Sequence, residues 1–261
     1  MLPLWHKKST IVVGSDQLWI YNQGEVKALP LQVAPLQKSI DFEALTEQLS
    51  MPINSLSGKS VTIVLANSWL RYSVLPWRQH LYSKRDWQAI AERYLIDIYG
   101  NQAALWQVIV SMQGYGQPLI IAAVDKSIIA GFETLARQKH WQLSSIEPAF
   151  SNVANHYINN LSSNAWLMLA EQNRLVLAQS IDGVWQRFLV SIPPLGQVQQ
   201  QFRSLVKQAR LLSATGEKMK LYVCGHPNLI VKNLGDDIDT QILATTSEQS
   251  PLVQPCYGAS S

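Results

Sequence analysis

Gly14, Ser15 and Asp16 are the residues best placed to do chemistry. They sit between two short apolar runs. A glycine there lets backbone N–H groups come close to a phosphate, and a hydroxyl and a carboxylate beside it suit Mg²⁺. The same triplet is what a tight hairpin turn takes for backbone reasons, and that is the simpler reading. Glu147, just before Pro148, either faces a cleft as a carboxylate or enters a helix N-terminus, where the dipole favours an acid. A general base needs a partner and a pocket, and the sequence shows neither. Asp236, Asp237 and Asp239 lack the further ligands and the closing Glu of a calcium loop, so they read as a solvated turn. His6, His80, His140, His156 and His226 have no ligand spacing. Ser15 and Ser68 have no G-x-S-x-G context, and neither a P-loop nor a G-x-G-x-x-G occurs.

The elements that must position these residues follow from periodicity. Thr10 to Val13, Gln17 to Tyr21 and Glu25 to Leu29 read as a three-stranded meander, with Gly14-Ser15-Asp16 at its first turn. Asp41 caps a short helix to Leu49. Ser60 to Ala66 is a strand, Asn67-Ser68 a turn, and Trp69 to Leu75 the returning strand. Ser83 and Asp86 form a capping box for a helix over Lys84 to Tyr99, with Trp87, Ile90, Ala91, Tyr94, Leu95 and Ile98 on one stripe. Leu105 to Met112 and Leu119 to Val124 are strands. Asp125 caps a helix, Trp141 to Ile146 is a strand, and Pro148 opens a helix reaching about Leu161. The polar stretch Asn159 to Asn164 is the best boundary in the chain.

A second meander follows from Trp166, with turns at Glu171-Gln172-Asn173 and Asp182-Gly183. A helix over Gly196 to Leu212 and a strand over Leu221 to Cys224, ending at Gly225, complete it. Pro227 to Leu234 is expected as helix and Asp239 to Leu243 as strand.

Composition bounds the rest. The chain has 261 residues, 47% hydrophobic and 15% charged, which suits one large or two modest globular domains and excludes disorder. Nine Trp are read mainly as core, among them Trp87, Trp106 and Trp166. A formal charge of +3 without a dense basic run argues against nucleic acid. Arg203, Lys207, Arg210, Lys218 and Lys220 read as a solvated face, with an acidic partner or anionic lipid as the alternative. Cys224 and Cys256 suggest no disulfide framework. With no N-terminal apolar region and no run of about 18 apolar residues, the expected location is cytoplasmic.

The order of these elements resembles the actin-like proteins of type IV pilus and type II secretion machines, namely the pilus assembly protein M family and the cytoplasmic domain of the secretion L proteins. The carrying segments are SVTIVLANSWLRYSVLPW (Ser60 to Trp77), IIAAVDKSIIAGFETLARQKHWQLSSIEPAFSNVAN (Ile120 to Asn155) and LYVCG (Leu221 to Gly225). The resemblance implies a two-lobed α/β fold of actin-like (ribonuclease H-like) type. It implies lobes over 1–163 and 164–245, a strand-helix subdomain inserted at about 60–112, and a loose tail over 246–261.

In that family an Asp with nearby glycines at the first hairpin of each lobe grips nucleotide phosphates, and a late glycine lies near the adenosine. Here Asp16 is displaced along its hairpin. The turn Ala170-Glu171-Gln172-Asn173-Arg174 has no glycine and would bring the Glu171 charge near phosphate, and Gly225 is followed by His226-Pro227. Gly14, Ser15, Asp16 and Gly225 are thus the remnants of a degenerate nucleotide site, and no cofactor is expected, ATP with Mg²⁺ being the alternative. The resulting expectation is a catalytically silent scaffold of a pilus-type or secretion-type assembly. It binds the cytoplasmic tail of an inner-membrane partner through Trp69 and Arg71 and contacts an assembly ATPase. The rival readings are a working Mg-ATP-binding pilus assembly protein and a sugar or small-molecule kinase on the same fold.

Overall fold

Strand order repeats itself in the two halves of the chain. The computed structural model describes residues 8–22, 25–31, 33–34, 39–48, 60–79, 81, 83–171, 173–213, 218–225, 229–231 and 234–245. In the first half, β1 (Lys8–Val13), β2 (Gln17–Asn22) and β3 (Glu25–Pro30) form an antiparallel meander. Two two-residue strands, β4 (Val33–Ala34) and β5 (Ser39–Ile40), pair with each other ahead of α1 (Phe42–Gln48). Then β6 (Ser60–Leu65) joins parallel to β1, and a later strand, β10 (Gln142–Pro148), joins parallel to β6. The sheet order is β10-β6-β1-β2-β3.

The second half uses the same plan. A meander of β11 (Ala165–Glu171), β12 (Arg174–Ile181) and β13 (Val184–Ser191) is extended in parallel by β14 (Met219–Gly225) and β15 (Ile238–Thr245). The sheet order is β13-β12-β11-β14-β15.

A third sheet, β7-β9-β8, is antiparallel throughout and consists of β7 (Leu70–Leu75), β8 (Trp106–Met112) and β9 (Leu119–Asp125). The inserted unit therefore runs from Leu70 to Asp125 rather than over about 60–112. Ser60 to Leu65 belongs to the main sheet because Ala66 continues its hydrogen bonding onto the Val13 carbonyl at 2.9 Å. For the same reason β6 and β7 do not return on each other as a hairpin. A 3₁₀ turn over Asn67–Trp69 sends the chain from one sheet to another.

Helices cover these sheets where the sequence places apolar stripes. α2 (Lys84–Tyr99) starts in the expected capping box of Ser83 and Asp86. It buries Trp87, Ala91 and Leu95 at four-residue spacing against the small sheet. α3 (Lys126–Gln138) is capped by Asp125, whose carboxylate accepts the Ser127 N–H at 2.8 Å. α4 (Ala149–Tyr157) is shorter than expected, because Asn160 and Leu161 turn back onto the Tyr157 carbonyl; Pro148 is its cap residue. α5 (Val198–Leu212) covers one face of the second sheet with Val198, Phe202, Leu205, Val206 and Ala209. Of 227–234, only 229–231 and 234 are described, and none is α-helical. The tail over 246–261, Cys256 and Leu49 lie outside the described residues.

Strand parity sets the architecture of the centre. β11 is buried on both faces. Trp166, Met168 and Ala170 meet α5, while Ala165, Leu167 and Leu169 join the largest core, together with Ile11, Val13, Ile63 and Phe150 of the first half. On β12, Leu175 and Leu177 face α5, whereas Val176 and Ala178 join that largest core. One continuous apolar core therefore runs from the first main sheet to the second.

Candidate functional site

Glu171 ends β11 and Arg174 begins β12, and the two are register partners at the hairpin tip. Alternation along each strand puts both on the face turned to the first lobe, in step with Leu169 and Val176. Both are buried, at 6% and 7% exposure. From the other side the 3₁₀ turn after β6 presents Asn67, fully buried. Its backbone N–H donates to Glu171 Oε1 at 2.9 Å, and its side-chain Nδ2 donates to the same oxygen. The Tyr72 hydroxyl, from β7, donates to Asn67 Oδ1 at 2.8 Å. Arg174 Nη2 donates to the Ser68 carbonyl at 3.3 Å. Four polar residues, from three strands and one turn, thus meet at the junction of both lobes and the small sheet.

Electrostatics follow from this burial. Desolvation raises the Glu171 carboxyl from 4.5 to about 7, although the Asn67 N–H groups, the Arg174 charge and the Ser68 amide all pull the other way. Burial, reinforced by the Glu171 charge, also holds the Tyr72 hydroxyl well above its usual range. Burial and then the neighbouring Arg71 cation lower the Arg174 pKa from its ordinary value.

Apolar and polar clips pin the small sheet to the second lobe beside this network. The Tyr72 ring stacks on Phe188 of β13 at 5.3 Å with 15° between planes, and Phe150 meets both Phe188 and Trp185 edge-on. Gln113, after β8, donates to the Trp185 carbonyl at 2.8 Å and accepts the Trp185 N–H at 2.7 Å.

Above the network lies a cleft of about 390 Å³. Of the residues singled out in the sequence, Ser15, Trp69 and Arg71 line it together with Asn173 and Arg174. The hairpin at Gly14 is closed on itself. Its N–H donates to the Gln17 carbonyl at 2.8 Å, and its carbonyl accepts the Trp69 indole N–H at 2.6 Å. A Cβ at Gly14 would fall 2.5 Å from the Trp19 ring. Asp16 is exposed and accepts from the Ser15 hydroxyl at 3.1 Å. Gly225 is away from the cleft lining, packed so tightly on Ala170 that a Cβ would lie 2.5 Å from the Ala170 carbonyl. At the first hairpin the Gly14 N–H that a phosphate would use is spent on the Gln17 carbonyl, and at the second a buried carboxylate, Glu171, stands where a glycine-type cradle for Mg-ATP phosphates would need N–H donors. These residues do not fit that group.

Glu171 does not project toward an incoming phosphate as the sequence reading has it; its carboxylate is spent on Asn67. Asn67 and Tyr72 are the members that sequence reasoning missed. The available signal was a polar Asn at the end of the apolar run SVTIVLA and a Glu at the end of WLMLA. The other candidates are ordinary. Glu147 accepts from Ser145 at 2.7 Å and from Asn152 at 3.2 Å, and Asp237 pairs with Arg210 at 2.6 Å. Among the described residues no cluster of metal-ligating side chains occurs, and no helix is long and apolar enough to cross a membrane.

The duplicated meander-plus-parallel-strands plan defines the class of this chain: it has the actin-like ATPase fold. No protein-family profile matches it, and no curated protein does. Solved structures do. A Bacteroides thetaiotaomicron protein with actin-like ATPase fold and unknown function matches at TM-score 0.57 and 15% identity, over 84% of this chain and 82% of that one. The PilM–PilN type IV pilus biogenesis complex contributes a match at TM-score 0.55 and 11% identity, over 83% and 81%. The cytoplasmic domain of EpsL, an inner-membrane component of the Vibrio cholerae type II secretion system, matches at 0.51 and 14%, also over 83% and 81%.

Proposed function

We propose that the chain is a non-catalytic scaffold of a type IV pilus or type II secretion-like assembly, working at the cytoplasmic face of the inner membrane by holding the cytoplasmic tail of a membrane partner. The observation that carries this reading is the closure of both hairpins. Where a nucleotide-using relative needs free N–H groups, this chain has the Gly14 N–H spent on the Gln17 carbonyl, and at the second hairpin it carries the Glu171 carboxylate, bonded to Asn67. The likeness to the EpsL cytoplasmic domain and to PilM in complex with PilN supports the kind of machine. Fold likeness is not function by itself, so the reading stands on a partner test.

Trp69 and Arg71 are the proposed contacts, with the β6-to-β7 segment and α2 around them. Trp69 is partly exposed on the cleft wall and Arg71 lies over the Trp106 ring at 5.8 Å. A contact onward to an assembly ATPase belongs to the same proposal. The experiment is titration of the full chain with labelled cytoplasmic tails of the inner-membrane proteins encoded beside its gene. Saturable binding of one tail, weakened about tenfold or more by Arg71→Glu, is expected. No binding by any of them overturns the reading.

A further inference from the structure

Two guanidinium groups line the interlobe cleft. Arg174, at 7% exposure, and Arg71 make no ion pair with any acid among the described residues. Asp125 also lines the cleft, but its carboxylate caps the Ser127 amide at 2.8 Å. Glu171 is the register partner of Arg174, yet it bonds Asn67 instead. Two donors at the cleft are buried with no hydrogen-bond partner, Nε of Arg174 and Oγ of Ser68. A buried unpaired donor is costly, and on a charged group more so. Burial lowers the Arg174 pKa, and the nearby Arg71 cation lowers it further, so the two like charges add to that cost. An anion held between the two guanidinium groups relieves that repulsion.

We propose that the cleft is a site for a single oxyanion group, a phosphate or carboxylate on a small molecule, held by Arg174 and Arg71. The fork of a guanidinium matches the oxygens of either group. Asn173 adds a polar side chain at the hairpin tip, while Trp69 and Trp106 supply flat apolar walls for the body of the ligand. The cleft volume of about 390 Å³ suits a small ligand. This assignment needs no protein partner, but it shares Trp69 and Arg71 with the proposed tail contact, so a tail and a phosphate would compete for the cleft.

The test is thermal unfolding of the full chain with orthophosphate, AMP and Mg-ATP, each against NaCl at matched ionic strength so that general screening cancels. Orthophosphate at ten times its Kd is expected to raise Tm by about 3–6 °C. Arg71→Met and Arg174→Met should each abolish the rise, and Arg203→Gln on the outer face of α5 should keep it. If Arg174→Met does not fold, Arg71→Met alone decides. AMP giving about the same shift as orthophosphate fits a single oxyanion. The absence of any phosphate shift, or a shift that survives Arg71→Met, overturns the site. Mg-ATP or AMP binding tenfold or more tighter than orthophosphate also overturns it, by making the cleft a nucleotide site.

Discussion

Asn67 gives both its backbone and its side-chain N–H to one carboxylate oxygen of Glu171, 104 positions later in the chain. This pair ties the end of β6 in the first lobe to the hairpin tip of the second. It also places an acid in a dry interface, and that has a consequence in pH.

Burial raises Glu171 from 4.5 to about 7. Between those values the folded chain holds a proton that the unfolded chain has released. Stability is therefore highest on the acid side of this window, falls as pH rises through about 7, and levels off above it. Equilibrium unfolding from pH 5 to pH 8.5 should show this decline in the wild type, and its difference from Glu171→Gln should carry the slope. A parallel pair of curves would contradict the burial account.

Tyr72→Phe removes the donor to Asn67 Oδ1 while keeping the ring stacked on Phe188. The buried carbonyl is left unpaired, so a loss of about 1–3 kcal/mol is expected in denaturant unfolding. A loss near zero would mean that Asn67 finds another donor.

Gln113→Ala deletes two hydrogen bonds to the Trp185 backbone. The expected cost is about 1–3 kcal/mol. Native-state hydrogen exchange should show faster exchange at the Trp185 amide while the α5-covered strands stay protected, because the small sheet detaches locally.

Gly225→Ala forces a methyl to within 2.5 Å of the Ala170 carbonyl. Backbone cannot yield as a flexible side chain can, so a loss of about 1–3 kcal/mol is expected. Here the glycine serves strand-to-strand closeness between β14 and β11, and a normal Tm for the variant would remove that explanation.

Local signals explain which parts were legible in the sequence. Capping at Ser83 and Asp125 and the turn at Asp182-Gly183 are short-range devices and are present as read, whereas the α2 stripe is narrower than read: Trp87, Ala91 and Leu95 are buried, Ile90 and Tyr94 are half-buried, and Ile98 is exposed. The destination of β7 was not legible. Asn67-Ser68 looks like a hairpin turn, and only the long-range bonds to Val13 and Glu171 show that it is a crossing between sheets. Likewise Arg174 looked like a charged residue at a turn. Its burial comes from strand parity combined with the first lobe closing over that face, which no local window contains.

The central claim is that an actin-like fold is kept while its phosphate hairpins are closed. The most direct test is thermal unfolding with and without millimolar Mg-ATP, referred to orthophosphate at the same concentration. The account predicts no shift beyond the one orthophosphate gives. A Mg²⁺-dependent rise of about 5–10 °C over that reference, the effect of a ligand at roughly 100 times its Kd on a chain of this size, would contradict it.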